Sequence, residues 1–256
     1  MDFNGITDGL KKGFDVWKEN AVAYIIGCII VGLSFFVAVA GLGFSIFSTF
    51  VISLILSIVA MSTGSTAAAI GSIAVSAIIA LVFRLLVILF LILVSVPLGF
   101  GLINMAIKGA RGDKVEIKDI FYSFTSLKVY KRNVTFAFAI FIPFIVLAII
   151  SIIIPLIPIV GFVLMLFIPI AFIIIVILLP FLLIFSAHIY IMKPSENVMY
   201  AISENLNIVK ANFVMVFVLI LICGLVGSIP FVSPVSLIAV TFILKELKPD
   251  LRDESV

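Results

Sequence analysis

The sequence predicts an all-α, polytopic membrane fold, and three observations carry that prediction. Of 256 residues, 64% are hydrophobic and 11% are charged, whereas a soluble domain carries about 25% charged residues. With a mean hydropathy of +1.45, such a chain cannot cover a globular surface with polar groups. The charges are also segregated. Arg84 is the one charge between Asn20 and Lys108, and the stretches 134–192 (His188 aside) and 213–244 carry none. Runs far beyond about 20 apolar residues mean membrane-spanning helices, several to a run. The third observation is a phrase used three times: Val-Trp-Lys-Glu-Asn at 16–20, Val-Tyr-Lys-Arg-Asn at 129–133 and Ile-Val-Lys-Ala-Asn at 208–212. Each copy follows a segment with helical apolar spacing and opens onto an apolar run.

Taken in order, residues 5–18 place Ile6, Leu10, Phe14 and Trp17 on one helical face, which suits a helix lying among lipid headgroups. The run 21–107 follows, with a turn at Ser62-Thr63-Gly64-Ser65-Thr66. Each half, 21–61 and 67–107, measures roughly 60 Å as a helix, twice the hydrocarbon thickness of about 30 Å. Either each half breaks, near Gly41–Gly43 and near Arg84, to give eight crossings, or 44–83 forms an outer hairpin beyond crossings at 21–43 and 84–107. The second arrangement is the expectation. In it Gly64, Ala68, Ser72, Ser76 and Ala80 recur at i+4, a helix-packing strip of small residues. The strip packs either against 44–61 or against a second copy of the chain, giving a homo-oligomer.

From Lys108 to Asn133 the chain is polar again, with Ile117, Ile120, Phe121, Phe124 and Leu127 as a second amphipathic face. The run 134–192 fits two crossings around Ile154-Pro155-Leu156-Ile157-Pro158, and Pro169 and Pro180 predict a kinked return helix. Ser195 caps a third amphipathic helix with Val198, Ile202, Leu206 and Val209 as its stripe. The last run, 213–244, turns at Pro230…Pro234. Two helices of about 14 residues reach roughly 21 Å each, so this hairpin is shallow unless the second helix continues through Lys245 and Leu247. The chain thus reads as one membrane domain, 1–256, in three units: 1–107, 108–192 and 193–256.

Six crossings in three there-and-back pairs put both termini and both polar connectors on one side. That side holds all sixteen Lys and Arg except Arg84, and all thirteen acidic residues, so it is cytoplasmic by the positive-inside rule. The expected location is the cell membrane, with lipids as partners. The net charge of +3 is topological and implies no nucleic acid. Cys28 and Cys223 lie in apolar runs as small reduced residues, and with one histidine they make no metal site.

Several short motifs resemble those of an uncharacterised family of six-helix membrane proteins of bacteria and archaea, which includes the membrane domain of some glycerophosphodiester phosphodiesterases. The motifs are Trp17-Lys18-x-Asn20, Pro97-x-x-x-Gly101, Lys108-Gly109-Ala110-Arg111-Gly112-Asp113, and Ser203 followed by Lys210-x-Asn212. Here 44–83 is longer than the family pattern, and Phe242 stands where tyrosine is expected. The resemblance implies a six-helix fold and brings no catalytic residues.

Candidate sites are few. Arg84, at bilayer depth, either contacts an anion or lipid phosphate or snorkels to the far interface. Lys18, Lys131 and Lys210 either bind lipid phosphates or mark the inner boundary, with Asn20, Asn133 and Asn212 capping the helices that follow. His188 is either an interfacial anchor or part of a polar pathway. No nucleophile, base and orienter occur together, so no enzyme and no cofactor is expected. Two function classes remain: a non-enzymatic membrane-organising or interaction protein, and a channel or transporter for a small or lipid-like solute. The carrier requires a polar path reaching Arg84 or His188; the organiser requires a sealed interior and an oligomer contact.

Overall fold

The computed structural model describes residues 3–63, 71, 75, 78–79, 82–83, 85–153, 167–229 and 231–249. Among these residues every regular element is helical. Among the described residues three helices are long and apolar enough to cross a membrane: Ala21–Gly41, Leu85–Arg111 and Ile173–Met192. A fourth arises if the bent pair Val198–Ala211 and Phe213–Gly227 forms one span. The chain divides into two compact units, residues 1–29 with 97–256, and residues 30–96.

α2 (Ala21–Thr63), whose residues from Ile30 on belong to the smaller unit, runs unbroken through Gly41-Leu42-Gly43. Its 43 residues span about 64 Å at 1.5 Å per residue. The break that eight crossings would need at Gly41–Gly43 is absent. A glycine costs a helix only about 1 kcal/mol relative to alanine, and at Gly41 the missing side chain makes room for Val87, which would lie 3.1 Å from a Cβ there. α3 (Leu85–Arg111) contains a π-helical turn, Leu91–Ser95, closed by the Val96 N–H on the Leu91 carbonyl. Pro97 follows at once. It can donate nothing to the carbonyl four residues back, and its ring crowds that carbonyl, so the turn widens.

The larger unit holds most of the polar connectors. α1 (Phe3–Glu19) packs antiparallel along α9 (Ser233–Leu247). A Cβ on Gly13 would lie 2.8 Å from the Val235 carbonyl oxygen, and one on Gly9 3.0 Å from Ile243. The buried face of α1 is therefore Ile6, Gly9 and Gly13, not the Phe14 edge that hydrophobicity singles out. Phe14 stays 41% exposed, stacked on Trp17 at 5.7 Å, with the Lys18 ammonium 4.5 Å above its ring.

α3 ends at Arg111. Gly112 takes φ +84°, the Gly112 N–H bonds the Gly109 carbonyl and the Asp113 N–H bonds that of Lys108, the paired bonds of a Schellman cap. The connector then folds back along α3 as a 3-10 helix, Ile117–Phe124. Side chains three apart eclipse in a 3-10 helix. Ile120 and Ser123 are thus buried together, while Phe121 and Phe124 stay exposed together. A Cβ on Gly101 would overlap the Ile120 carbonyl at 1.8 Å, so glycine is what lets the two backbones meet. Lys108 pairs with Asp119 at 2.9 Å, and Asp119 also accepts the Glu116 N–H at 2.9 Å.

α4 (Leu127–Ile153) is followed by α5 (Phe167–Leu183) and α6 (Ser186–Met192). The turn at 154–158 lies outside the described residues. α7 (Val198–Ala211) begins at Asn197, whose side chain accepts the Tyr200 N–H, so the cap is Asn197 and not Ser195. α7 meets α8 (Phe213–Gly227) at a bend of 108°. α8 and α9 have 15 residues each, the short lengths the sequence implies, and α9 does run on through Lys245 to Leu247.

Candidate functional site

One helix in the larger unit is broken by a side chain from another. The stripe of α7 is buried at Val198, Ala201, Asn205, Ile208 and Val209. Asn205 sits two turns beyond Val198 and is 0% exposed. Its Oδ1 accepts the Phe185 N–H at 3.1 Å. Its Nδ2 donates to the Phe181 and Leu182 carbonyls at 2.8 and 3.0 Å. In an intact helix the Phe185 N–H would bond the Phe181 carbonyl; the amide stands between that pair. Pro180 lies inside α5, and the helix opens only at Ile184–Phe185. The inserted amide accounts for the position of the break, and the break explains why a fully polar side chain is buried here.

Across the break, α6 carries His188, which is 2% exposed. Its Nε2 lies 3.2 Å from the Leu237 carbonyl of α9. Nδ1 is buried without a partner in hydrogen-bond geometry, although the Ile184 carbonyl one turn back adjoins the ring. His188 is thus a buried side chain set against α9. It lines an open pocket of about 480 Å³ between the broken helix, α8 and α9. Pro180 and Ile184 form one wall, Cys223 and Gly224 a second, and Ser236 with Leu237 a third. Apart from His188, Cys223 and Ser236 the described lining is apolar, and it contains no charged residue.

The other end of α6 is held by an arginine that sequence reasoning passed over. Arg132 donates to the carbonyls of Tyr190 and Lys193, and its guanidinium carbon stands 3.9 Å from the centre of the Tyr190 ring. The Tyr190 hydroxyl donates to the Arg132 carbonyl at 2.8 Å. Phe136 packs edge-on to Phe100 at 5.2 Å and 4.8 Å from Tyr190. This cluster anchors α6 to α4, and its only advance signal was an arginine inside the second Lys-x-Asn phrase.

The expected caps are corrected. Asn20 and Asn212 do stand at helix junctions, but their amides point backwards, donating to the Val16 and Ile208 carbonyls at 3.1 and 3.2 Å. They close the preceding helix instead of opening the next, and Asn212 makes no capping bond to α8. Asn20 Oδ1 also accepts the Val115 N–H. Asn133 lies inside α4, buried, with Nδ2 donating to Ser123 Oγ at 2.8 Å. An asparagine amide carries donors as well as an acceptor, and at a helix end the orphan carbonyls take the donors. Lys18, Lys131 and Lys210 are all exposed. Arg84 and the strip Gly64, Ala68, Ser72, Ser76 and Ala80 lie outside the described residues. No family model, curated protein or solved structure matches this chain.

Proposed function

We propose that this chain is a non-enzymatic multi-pass protein of the cell membrane that organises lipid, or other proteins, at the cytoplasmic leaflet. The observation that carries this reading is the divided surface of α1. One strip is fixed to α9 by glycine contacts, while the stacked Phe14 and Trp17 with Lys18 above them face outward as an aromatic and cationic pair suited to headgroup depth. Ile117, Phe121, Phe124 and Leu127 on the next connector and Met199 on α7 are exposed in the same way. The resemblance to the six-helix bacterial and archaeal proteins belongs to the same proposal, as do both cytoplasmic termini.

Within it, four helices cross the membrane fully (α2, α3, α4 and α5–α6), and α8–α9 enters and leaves the cytoplasmic leaflet as a shallow hairpin in place of a third pair of crossings. The support is α1, which exposes Asp8, Lys11, Lys12, Asp15, Lys18 and Glu19 and cannot sit in hydrocarbon. α9 runs beside it, and the Trp17 indole N–H bonds the Phe231 carbonyl at 3.1 Å, so the hairpin turn shares the level of Lys18. Every Lys-x-Asn phrase then still opens from one side.

A second reading, a carrier for a lipid-like solute, is favoured by the pocket beside α8. Reconstitution into liposomes separates the two. The organiser leaves solute flux at background and changes lipid packing reported by an interfacial dye, an effect that Phe14→Ser weakens. Flux above background that Gly224→Leu abolishes would replace it with the carrier.

A further inference from the structure

We infer that Arg132, Arg111 and the Tyr122 hydroxyl together hold the phosphodiester of one anionic phospholipid of the cytoplasmic leaflet. The inference deepens the proposed function and rests on it only for the level at which this connector lies. Its starting point is a cation without a counter-charge. The Arg132 guanidinium is half-buried, and what it meets is neutral: the carbonyls of Tyr190 and Lys193 and the Tyr190 side chain. Among the described residues no carboxylate acts on it; Asp119 is spent on Lys108 and Glu116 on Lys118. A cation withdrawn from water without an anion is costly. The Tyr122 phenol lies in the field of Arg132 and of Arg111, and no carboxylate acts on it either. Its hydroxyl is neither sealed off nor bonded among the described residues, so it offers a donor at the surface. The 3-10 connector sets that donor in place, because the Ser123 hydroxyl beside it bonds the Pro97 carbonyl of α3 at 2.6 Å and accepts Asn133 of α4 at 2.8 Å.

The surroundings say which anion fits. Arginine matches the oxygens of a phosphate better than any other side chain does, and Arg132 is held in place before a ligand arrives. Phe121, Phe124 and Leu127 on the same stretch are exposed, with Phe124 against Tyr130 at 5.5 Å. A soluble phosphate would use the cations and leave that apolar border in water, whereas a phospholipid uses both. The charge balance selects among phospholipids. Between Asp119 and Glu196 the chain has no acidic residue, while Lys128, Lys131, Arg132 and Lys193 all fall there. No carboxylate is therefore at hand for the ammonium of a zwitterionic headgroup, and a headgroup of net negative charge is the complement of this face.

The test uses the full chain in detergent micelles doped with phosphatidylglycerol or with phosphatidylcholine of the same acyl chains, and native mass spectrometry counts the lipid retained. Wild type should prefer phosphatidylglycerol by about 25-fold, two cations at about fivefold each. Arg132 also ties α6 to α4, so the variants change its neighbours. Arg111→Gln should lower the preference about fivefold. Tyr122→Phe should weaken both lipids about fivefold, because both carry the phosphodiester that the hydroxyl bonds. Lys11→Gln, which removes an exposed charge on α1, should leave the preference unchanged. Equal retention of the two lipids by wild type, or a loss in Lys11→Gln as large as in Arg111→Gln, would overturn the inference in favour of diffuse attraction. Displacement of the lipid by millimolar glycerol 3-phosphate would overturn it in favour of a soluble phosphate. Failure here with the dye response in liposomes intact removes this site and leaves the organiser standing; the converse result removes the organiser and leaves the site.

Discussion

The contact of α1 with α9 and the break between α5 and α6 are two ways of bringing helices together where lipid supplies no hydrophobic drive. At the first, glycines remove side chains until backbone meets backbone: a Cβ on Gly13 would sit 2.8 Å from the Val235 oxygen. The helices stay regular. At the second, an amide is pushed into a helix, occupies Phe181, Leu182 and Phe185, and forces the turn open. The first contact is close-packed and its polar bond lies at one end. The second satisfies its polar groups at the centre and leaves room around them, including a histidine with one unpartnered nitrogen. Small residues make seams, and inserted polar residues make cavities.

The largest expected effect breaks the second region. Asn205→Leu leaves the Phe185 N–H and the Phe181 carbonyl without their partner, while the Leu182 carbonyl keeps the Ser186 hydroxyl. At about 1–3 kcal/mol for each orphaned group, and with partial reclosure of the helix, we expect a loss of about 3 kcal/mol. Reversible unfolding in mixed micelles measures it. The helix cannot reclose freely, because Tyr190 and Lys193 beyond the break are tied to Arg132. A variant as stable as wild type would make the break a consequence of Pro180 alone.

The glycine seam comes next, and it contains its own control. Alanine favours a helix over glycine by about 1 kcal/mol. At Gly9 the nearest atoms are the side-chain carbons of Ile243, at 3.0 and 3.3 Å, which can rotate away, so Gly9→Ala should be close to neutral. At Gly13 the neighbours are backbone, the Val235 oxygen and the Ala239 nitrogen at 3.2 Å, which cannot. Overpacking against rigid backbone costs up to about 3 kcal/mol, so Gly13→Ala should lose up to about 2 kcal/mol after the helix gain of about 1 kcal/mol. Equal effects at the two positions, in the same unfolding measurement, would mean that α1 does not lie against α9 in register.

These regions differ as much in how far the sequence revealed them. The helices and their short lengths at 213–247 follow from local composition and were legible. The buried face of α1 was not, because hydrophobicity marks Leu10 and Phe14 while the contact runs through Gly9 and Gly13, whose use depends on a partner more than 200 residues away. The 3-10 period of 117–124 was hidden for the same reason: read at 3.6 residues per turn, Phe121 and Phe124 fall on the inner face. Asn205 was missed, because the predicted stripe runs through Ile202 and Leu206 whereas the structure buries Ala201 and Asn205, and nothing local says that the groups Asn205 needs lie in another helix. His188 could be found from sequence; its pairing with the Leu237 carbonyl of another helix could not.

The smallest effect sharpens the first region at its polar end. Phe231, in the turn before α9, has φ +67°, a left-handed conformation that costs a bulky residue about 1–2 kcal/mol and that glycine adopts freely. Its carbonyl is the one that Trp17 holds. Glycine also loses about 0.5–1 kcal/mol of chain entropy on folding, so Phe231→Gly should raise stability by only about 0.5 kcal/mol. The informative number is the same substitution in a Trp17→Phe background. If the indole is what keeps the strained turn in place, relieving the strain is worth less once the indole is gone, because the phenylalanine turn is then free to relax on its own. The gain should shrink toward zero in that background. An undiminished gain would show that the turn is shaped by α8 and α9 alone, and that α1 merely rests against it.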